Sequence, residues 1–109
     1  MPSAESVRPE KFRNIKVLFD DGSYSVISGL YDGGKHTVLG ERWNGERGGL
    51  GFPNVAGNPV WHVVPDFLAV AVLEALLDEI SANRTASSER QLQSVLDEIK
   101  AQLIYRGKA

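Results

Sequence analysis

No cysteine occurs among the 109 residues of this chain. Disulfide bonds, thiolate catalysis and cysteine-ligated metal centres are therefore excluded. The only two histidines, His36 and His62, are widely separated, and neither has a second ligand at the spacing of a metal site. We therefore predict no metal and no cofactor.

Long apolar runs and a strong charge of one sign are also missing. The longest apolar run, Phe67 to Leu73, is far shorter than the ~18 residues of a membrane-spanning helix. Fourteen acidic residues oppose twelve basic ones, a net charge of −2, which argues against a surface devoted to nucleic acid. The N-terminus has no apolar segment of the secretory kind. We predict a cytoplasmic protein without a membrane partner.

The composition, 42% hydrophobic and 24% charged, is typical of an ordinary folded domain. Residues 1–12 combine proline, serine and charged residues, a mixture that predicts a flexible N-terminal tail. The remaining residues, 13–109, have the length of a single domain.

Strand patterns fill the first part of this domain. Residues 14–20 (NIKVLFD) and 24–31 (YSVISGLY) flank an Asp-Gly turn, which is a strong hairpin signal. A second glycine-containing turn leads to a third strand over residues 36–43 (HTVLGERW). After a glycine-rich stretch, residues 59–64 (PVWHVV) predict a fourth strand, with its proline at the start or on an edge.

The last part of the chain has helical periodicity. Residues 66–84 predict one helix, and the pair Ser88 and Gln91 has the spacing of a capping box that begins a second. The predicted fold is α+β, a four-stranded, mainly antiparallel sheet in the order β-β-β-loop-β followed by two C-terminal helices. The predicted apolar face of the first helix comprises Val70, Val72, Leu73, Leu76, Leu77 and Ile80.

Residues 17–32 (VLFDDGSYSVISGLYD) resemble the strand–Asp-Gly–strand opening of Sm-like and SH3-like small barrels. The resemblance rests on Gly22, Gly29 and Asp32. Their spacing departs from the Sm pattern, and the helices of this chain follow the strands instead of preceding them. The resemblance implies an alternative fold, a small barrel with C-terminal helices.

Residues 44–58 form a glycine-rich stretch that we expect to be neither helix nor regular strand. No helix and no Lys-Ser or Lys-Thr pair follows its glycines, so a phosphate-binding loop is not supported. Connections of this length are usually functional or disordered, and we predict a contact loop with Phe52 packed back against the domain. The predicted binding residues are Arg42, Trp43, Glu46, Arg47, Phe52 and Trp61.

The functional prediction is a small non-catalytic macromolecular interaction module that forms a homodimer and contacts a protein partner through the glycine-rich loop. Two helices are too few to cover every apolar surface of the sheet and the first helix, and exposed apolar surface marks contact sites. The predicted self-association residues are Phe67, Val70, Leu92, Val95, Leu96, Ile99 and Leu103.

Two alternatives remain open. One is a single-stranded nucleic-acid-binding protein, in which the strand aromatics Tyr24, Tyr31, Trp43 and Trp61 stack on bases. The other is an enzyme for a small polar substrate that uses Glu41, His62 and Asp66, and it requires a concave pocket that holds all three. We predict no enzyme, because the sequence pattern assembles no nucleophile, base and orienting group.

Overall fold

A computed structural model describes residues 12–44, 51–55, 58–59 and 61–106 of the chain. The chain divides into two compact units, Met1–Val64 and Pro65–Ala109, which are described in turn. A four-stranded antiparallel sheet lies in the first unit and two helices in the second, which confirms the α+β prediction. The small-barrel alternative is not needed. A single domain over residues 13–109 stays a prediction.

The described residues of the first unit form six strands, β1 (Phe12–Asp20), β2 (Tyr24–Tyr31), β3 (Thr37–Trp43), β4 (Asn54–Val55), β5 (Asn58–Pro59) and β6 (His62–Val63). The main sheet has the order β1-β2-β3-β6, and every neighbouring pair is antiparallel. Strands β4 and β5 form a separate two-stranded sheet.

Several elements differ from the prediction. Strand β1 begins at Phe12, which the sequence placed in the flexible tail, while residues 1–11 lie outside the described residues. The fourth strand of the main sheet is reduced to β6. Strand β4 and the first residue of β5 lie in the stretch expected to have no regular structure, because pairing satisfies backbone N–H and C=O groups that a long loop would otherwise leave without partners.

The turn between β1 and β2 is built by aspartate side chains. Asp20 Oδ1 accepts the N–H of Gly22 at 2.9 Å, and Asp21 Oδ1 accepts the N–H groups of Ser23 at 2.8 Å and Tyr24 at 2.9 Å. Gly22 has φ +91°, a conformation that glycine adopts without strain. The Asp-Gly signal thus fixes the point from which β2 runs.

The core on one face of the sheet is formed by Phe12, Ile27 and Trp61. Gly29 lets β1 approach β2 closely, since a Cβ at this position would lie 2.9 Å from the Arg13 carbonyl oxygen and 3.2 Å from the Phe12 ring. The register of β1 against β2 is irregular next to this contact, between Arg13 and Lys16, and again between Val17 and Phe19. At both places β1 has an additional residue relative to β2.

The second unit is a pair of contacting helices, α1 (Asp66–Ala82) and α2 (Ser88–Tyr105). Helix α1 buries Ala69, Leu73, Leu76 and Ile80, a 4-3-4 spacing that forms a narrower stripe than the predicted face. No helix in the described ranges is long and apolar enough to cross a membrane.

Helix α2 departs further from the sequence prediction. Its buried residues are Ser88, Val95, Glu98 and Gln102, so the buried stripe contains polar positions that the prediction left out. Gln102 Nε2 donates to Glu98 Oε2 at 3.0 Å, and this bond makes their burial tolerable. The predicted capping box is wrong, because Ser88 Oγ accepts the Thr85 N–H at 2.7 Å instead of capping its own helix.

Candidate binding site

Three aromatic side chains form a row across the sheet at the ends of β2 and β3. Tyr24 lies opposite Trp43, with ring centroids 4.9 Å apart and planes inclined by 56°. On the other side of Trp43, its N–H donates to the Phe52 carbonyl at 2.7 Å, and the Phe52 N–H donates back at 2.9 Å. Directly opposed residues of antiparallel segments project from the same face, so the three side chains share one face.

Trp43 is 58% exposed and Phe52 is 66% exposed. The prediction that the glycine-rich stretch folds back is correct for the backbone, because Phe52 pairs with β3. The prediction that the Phe52 side chain packs against the domain is wrong. A paired backbone on the edge of β3 fixes the position of this ring without covering it.

Phe52 is held in place where Gly51 lies against the backbone of Trp43 and Asn44, a contact that we call the neck. Gly51 has φ +75°, and a Cβ there would overlap the Trp43 carbonyl oxygen and the Asn44 backbone. The buried Asn44 side chain accepts the Ser25 hydroxyl at 2.7 Å and donates to Asp20 at 3.0 Å. The two ends of the segment between Asn44 and Gly51 are therefore fixed side by side on the sheet.

Polar groups lie beside the aromatic row. The Tyr24 hydroxyl donates to Glu41 Oε1 at 2.6 Å, and Glu41 Oε2 is 3.6 Å from His62 Nδ1. His62 lies directly opposite Glu41 in the pairing of β3 with β6. Burial raises the pKa of Tyr24 above its ordinary value, and the hydrogen bond to Glu41 and its negative charge raise it further. The phenol therefore stays protonated and holds the carboxylate in place.

These groups surround a cavity of about 210 Å³. Sites for drug-sized ligands occupy roughly 300–1,000 Å³, so this cavity has the size for a side chain or a small head group. Among the described residues, its lining contains no serine or threonine. The lining residues are Tyr24, Glu41, Arg42, Trp43, Phe52, Pro53 and His62.

Two of the predicted binding residues are buried. Arg42 is only 1% exposed, and its guanidinium carbon lies 6.0 Å from the ring centroid of Trp61 in the core. Burial lowers the pKa of Arg42. The prediction that Arg42 is displayed to a partner is wrong, because alternation along β3 directs its side chain away from the face of Glu41 and Trp43. Glu46 and Arg47 lie outside the described residues.

The structure brings together two of the three residues of the enzymatic alternative, Glu41 and His62, while Asp66 is the first residue of α1 in the second unit. It separates the aromatics of the nucleic-acid alternative. Tyr31 packs edge-on against Phe12 in the core, and Trp61 is buried. Only Tyr24 and Trp43 remain beside the cavity.

The predicted self-association residues differ widely in exposure. Phe67 is 72% exposed and Leu96 is 48% exposed, whereas Val95 is fully buried. Ile104 and Tyr105, which the sequence analysis did not select, are also exposed. The other predicted residues, Val70, Leu92, Ile99 and Leu103, are partly buried.

In the part of the chain that the structure describes, no three histidine, aspartate or glutamate side chains lie close enough to hold a metal ion. Comparison with protein-family models, curated proteins and solved structures finds no match to this chain. The geometry of the site is therefore the basis for the function proposed below.

Proposed function

We propose that this protein is a small non-catalytic interaction module that binds a protein partner at the row of Tyr24, Trp43 and Phe52. The observation that carries the proposal is the exposure of Trp43 and Phe52, more than half of each side chain, beside the cavity of about 210 Å³. Aromatic side chains supply much of the binding energy at protein interfaces. Because paired backbone bonds already fix these two residues, binding costs little ordering entropy.

The charge of the site favours a protein over a nucleic acid. Glu41 lies next to the aromatic row, where its carboxylate would repel phosphate groups. A platform for unpaired bases also needs several accessible rings, and burial withdraws Tyr31 and Trp61 from that role. The Glu41–His62 pair alone is a weak basis for catalysis, since Asp66, the third residue of the enzymatic alternative, is not among the described residues that line the cavity.

A capture experiment tests the proposal. Immobilised wild-type protein, Trp43→Ala and Tyr105→Ala would be incubated with cell lysate, and bound proteins would be quantified by mass spectrometry. Tyr105 is a matched control, because it is an exposed aromatic residue on α2. We expect wild type and Tyr105→Ala to retain a partner that Trp43→Ala loses. Capture of the same proteins by all three would contradict the proposal.

We also propose that the protein forms a homodimer through exposed apolar side chains of the helical unit. Phe67, Leu96 and Ile104 support this second proposal, since large exposed apolar groups mark contact sites and two-fold symmetry pairs like surfaces. Sedimentation velocity would compare wild type with Phe67→Ser and with Trp43→Ser as the control. We expect a dimer for wild type and the control, and a monomer for Phe67→Ser. A monomeric wild type would refute it.

A further inference from the structure

We infer that the cavity beside Trp43 receives an alkylammonium group, namely the end of a lysine side chain presented by the partner protein. This inference rests on the proposed function and names the chemical group that the site would select. It follows from three properties of the cavity: its aromatic walls, the one carboxylate among its described lining residues, and its size.

The aromatic walls attract a cation. The ring faces of tryptophan, tyrosine and phenylalanine carry negative electrostatic potential, and alkylated ammonium groups are bound where several rings surround them. Tyr24, Trp43 and Phe52 all line the cavity, and the ring planes of Tyr24 and Trp43 are inclined by 56° instead of being stacked in parallel. The chain already places a cation over the other tryptophan, since Arg42 lies above Trp61.

Glu41 supplies the negative charge. Its side chain is about one-third exposed, so it is accessible from the cavity and partly withdrawn from water. Tyr24 engages Oε1 and thereby orients the carboxylate. The 3.6 Å between Oε2 and His62 Nδ1 exceeds hydrogen-bonding distance, so this contact leaves Oε2 able to accept an N–H group from a ligand.

The same geometry favours an ammonium over a guanidinium. Arginine binds carboxylates best through two parallel hydrogen bonds, which require both oxygens. At Glu41 the Tyr24 hydroxyl already occupies Oε1. Lysine ends in a compact point charge that a single oxygen can engage. Methylation keeps that charge, so a methylated lysine also fits the aromatic walls.

The test uses the indole N–H signals of the two tryptophans of the 109-residue chain in ¹H–¹⁵N NMR spectra, with Trp43→Phe to assign them. The probes are an N-acetylated, C-amidated peptide with one lysine between glycines, its trimethyllysine form and its norleucine form. At about 10 mM peptide, binding with millimolar affinity is readily detected. We expect both cationic peptides to shift the Trp43 signal and to leave that of the buried Trp61 in place. Norleucine should bind about tenfold more weakly.

A charge-removing substitution provides the second arm. Glu41→Gln keeps the acceptor for Tyr24 and removes the negative charge. We expect it to weaken binding of the trimethyllysine peptide by about tenfold, an amount consistent with the loss of one partly buried charge partner. Glu74→Gln, which removes an exposed carboxylate of α1, is the matched control and should change nothing.

Several results would overturn the inference. Equal binding of the norleucine and lysine peptides would show that binding does not require a positive charge, and would not contradict the proposed interaction module. A response to tetramethylammonium chloride alone would exclude a polypeptide source, and a response only to hexathymidine would indicate nucleic acid. A stationary Trp43 signal with every probe would eliminate the site for alkylammonium groups. The lysate capture decides the proposed function separately.

Discussion

The two tryptophans of the chain lie in opposite environments within the same unit. Trp61 is 6% exposed, clusters with Phe12 and Ile27, and has the Arg42 guanidinium over its ring. Trp43 is 58% exposed and borders the cavity. The comparison teaches that one residue type serves the core when its ring is enclosed by the chain, and becomes a candidate for binding when it has a neighbour on one side and stays more than half exposed.

Strand alternation produces this difference over three consecutive residues. Glu41 and Trp43 project from one face of β3, and Arg42, between them, projects from the other. The cation that is closest to Trp43 in sequence thus packs with Trp61 in the core. Adjacency in the chain is therefore a poor guide to which side chains share a site.

The largest expected effect is the difference in stability between variants of the two tryptophans, and its absence would contradict the contrast drawn above. Trp61→Ala should lower the free energy of unfolding by about 3–5 kcal/mol, because it opens a cavity in the core. Trp43→Ala should cost less than about 1 kcal/mol, since the exposed ring buries little surface. Urea denaturation followed by far-ultraviolet circular dichroism measures both. Equal losses would show that the two rings have equivalent structural roles.

A smaller effect concerns the neck that positions Phe52. Gly51→Ala should destabilise the protein by about 2–3 kcal/mol, because the new Cβ meets the Trp43 and Asn44 backbone at a positive φ. Gly33→Ala is the matched control, with φ +78° and no atom within 4 Å of the new Cβ, and should cost about 1 kcal/mol. Urea denaturation would compare the variants. An equal loss in the two would mean that crowding at Gly51 contributes nothing.

The smallest effect concerns the ionisation of the Tyr24 hydroxyl group, which lies beside Trp43. The pKa of Tyr24 is raised in the folded state, so the folded protein holds this proton more tightly than the unfolded chain, whose tyrosine pKa is near 10. Its contribution to stability is complete below about pH 10 and declines as the pH rises above that value.

Urea denaturation of wild type and Tyr24→Phe between about pH 9 and pH 11 measures this decline. We expect wild type to lose stability relative to the variant by less than about 1 kcal/mol at pH 11, because solvent screens this partly exposed group. A difference between the two proteins that does not change with pH would refute the assignment.

Local patterns predicted most of the fold. Period-2 alternation and the Asp-Gly turn located β1, β2 and β3, and apolar periodicity located both helices. The buried stripe of α2 was mispredicted because Glu98 and Gln102 are polar, and the hydrogen bond between them, which contributes to their burial, is not visible in the sequence pattern. The short β4–β5 pair was missed because a glycine-rich sequence has no periodic pattern of apolar residues.

Sequence reasoning found Trp43 and Phe52 but missed that Tyr24, Glu41 and His62 join them. Part of this was accessible, because counting outward from the turn that pairs Leu30 with Thr37 places Tyr24 opposite Trp43. The partners of the outer edge of β3 were not accessible, because Phe52 lies within the glycine-rich stretch and His62 follows it. No local sequence pattern indicates which residues of β3 will pair with Phe52 and with β6.

The neck at Asn44 and Gly51 has a practical consequence for engineering. Because both of its ends are anchored to the sheet, the segment between them starts and finishes at neighbouring points regardless of its length. Closing a longer connection costs only about 0.6 kcal/mol for each doubling. We therefore expect the segment between Asn44 and Gly51 to accept a grafted epitope or a fluorophore tag. A fluorophore there would report on ligands that bind at the adjacent row of Tyr24, Trp43 and Phe52.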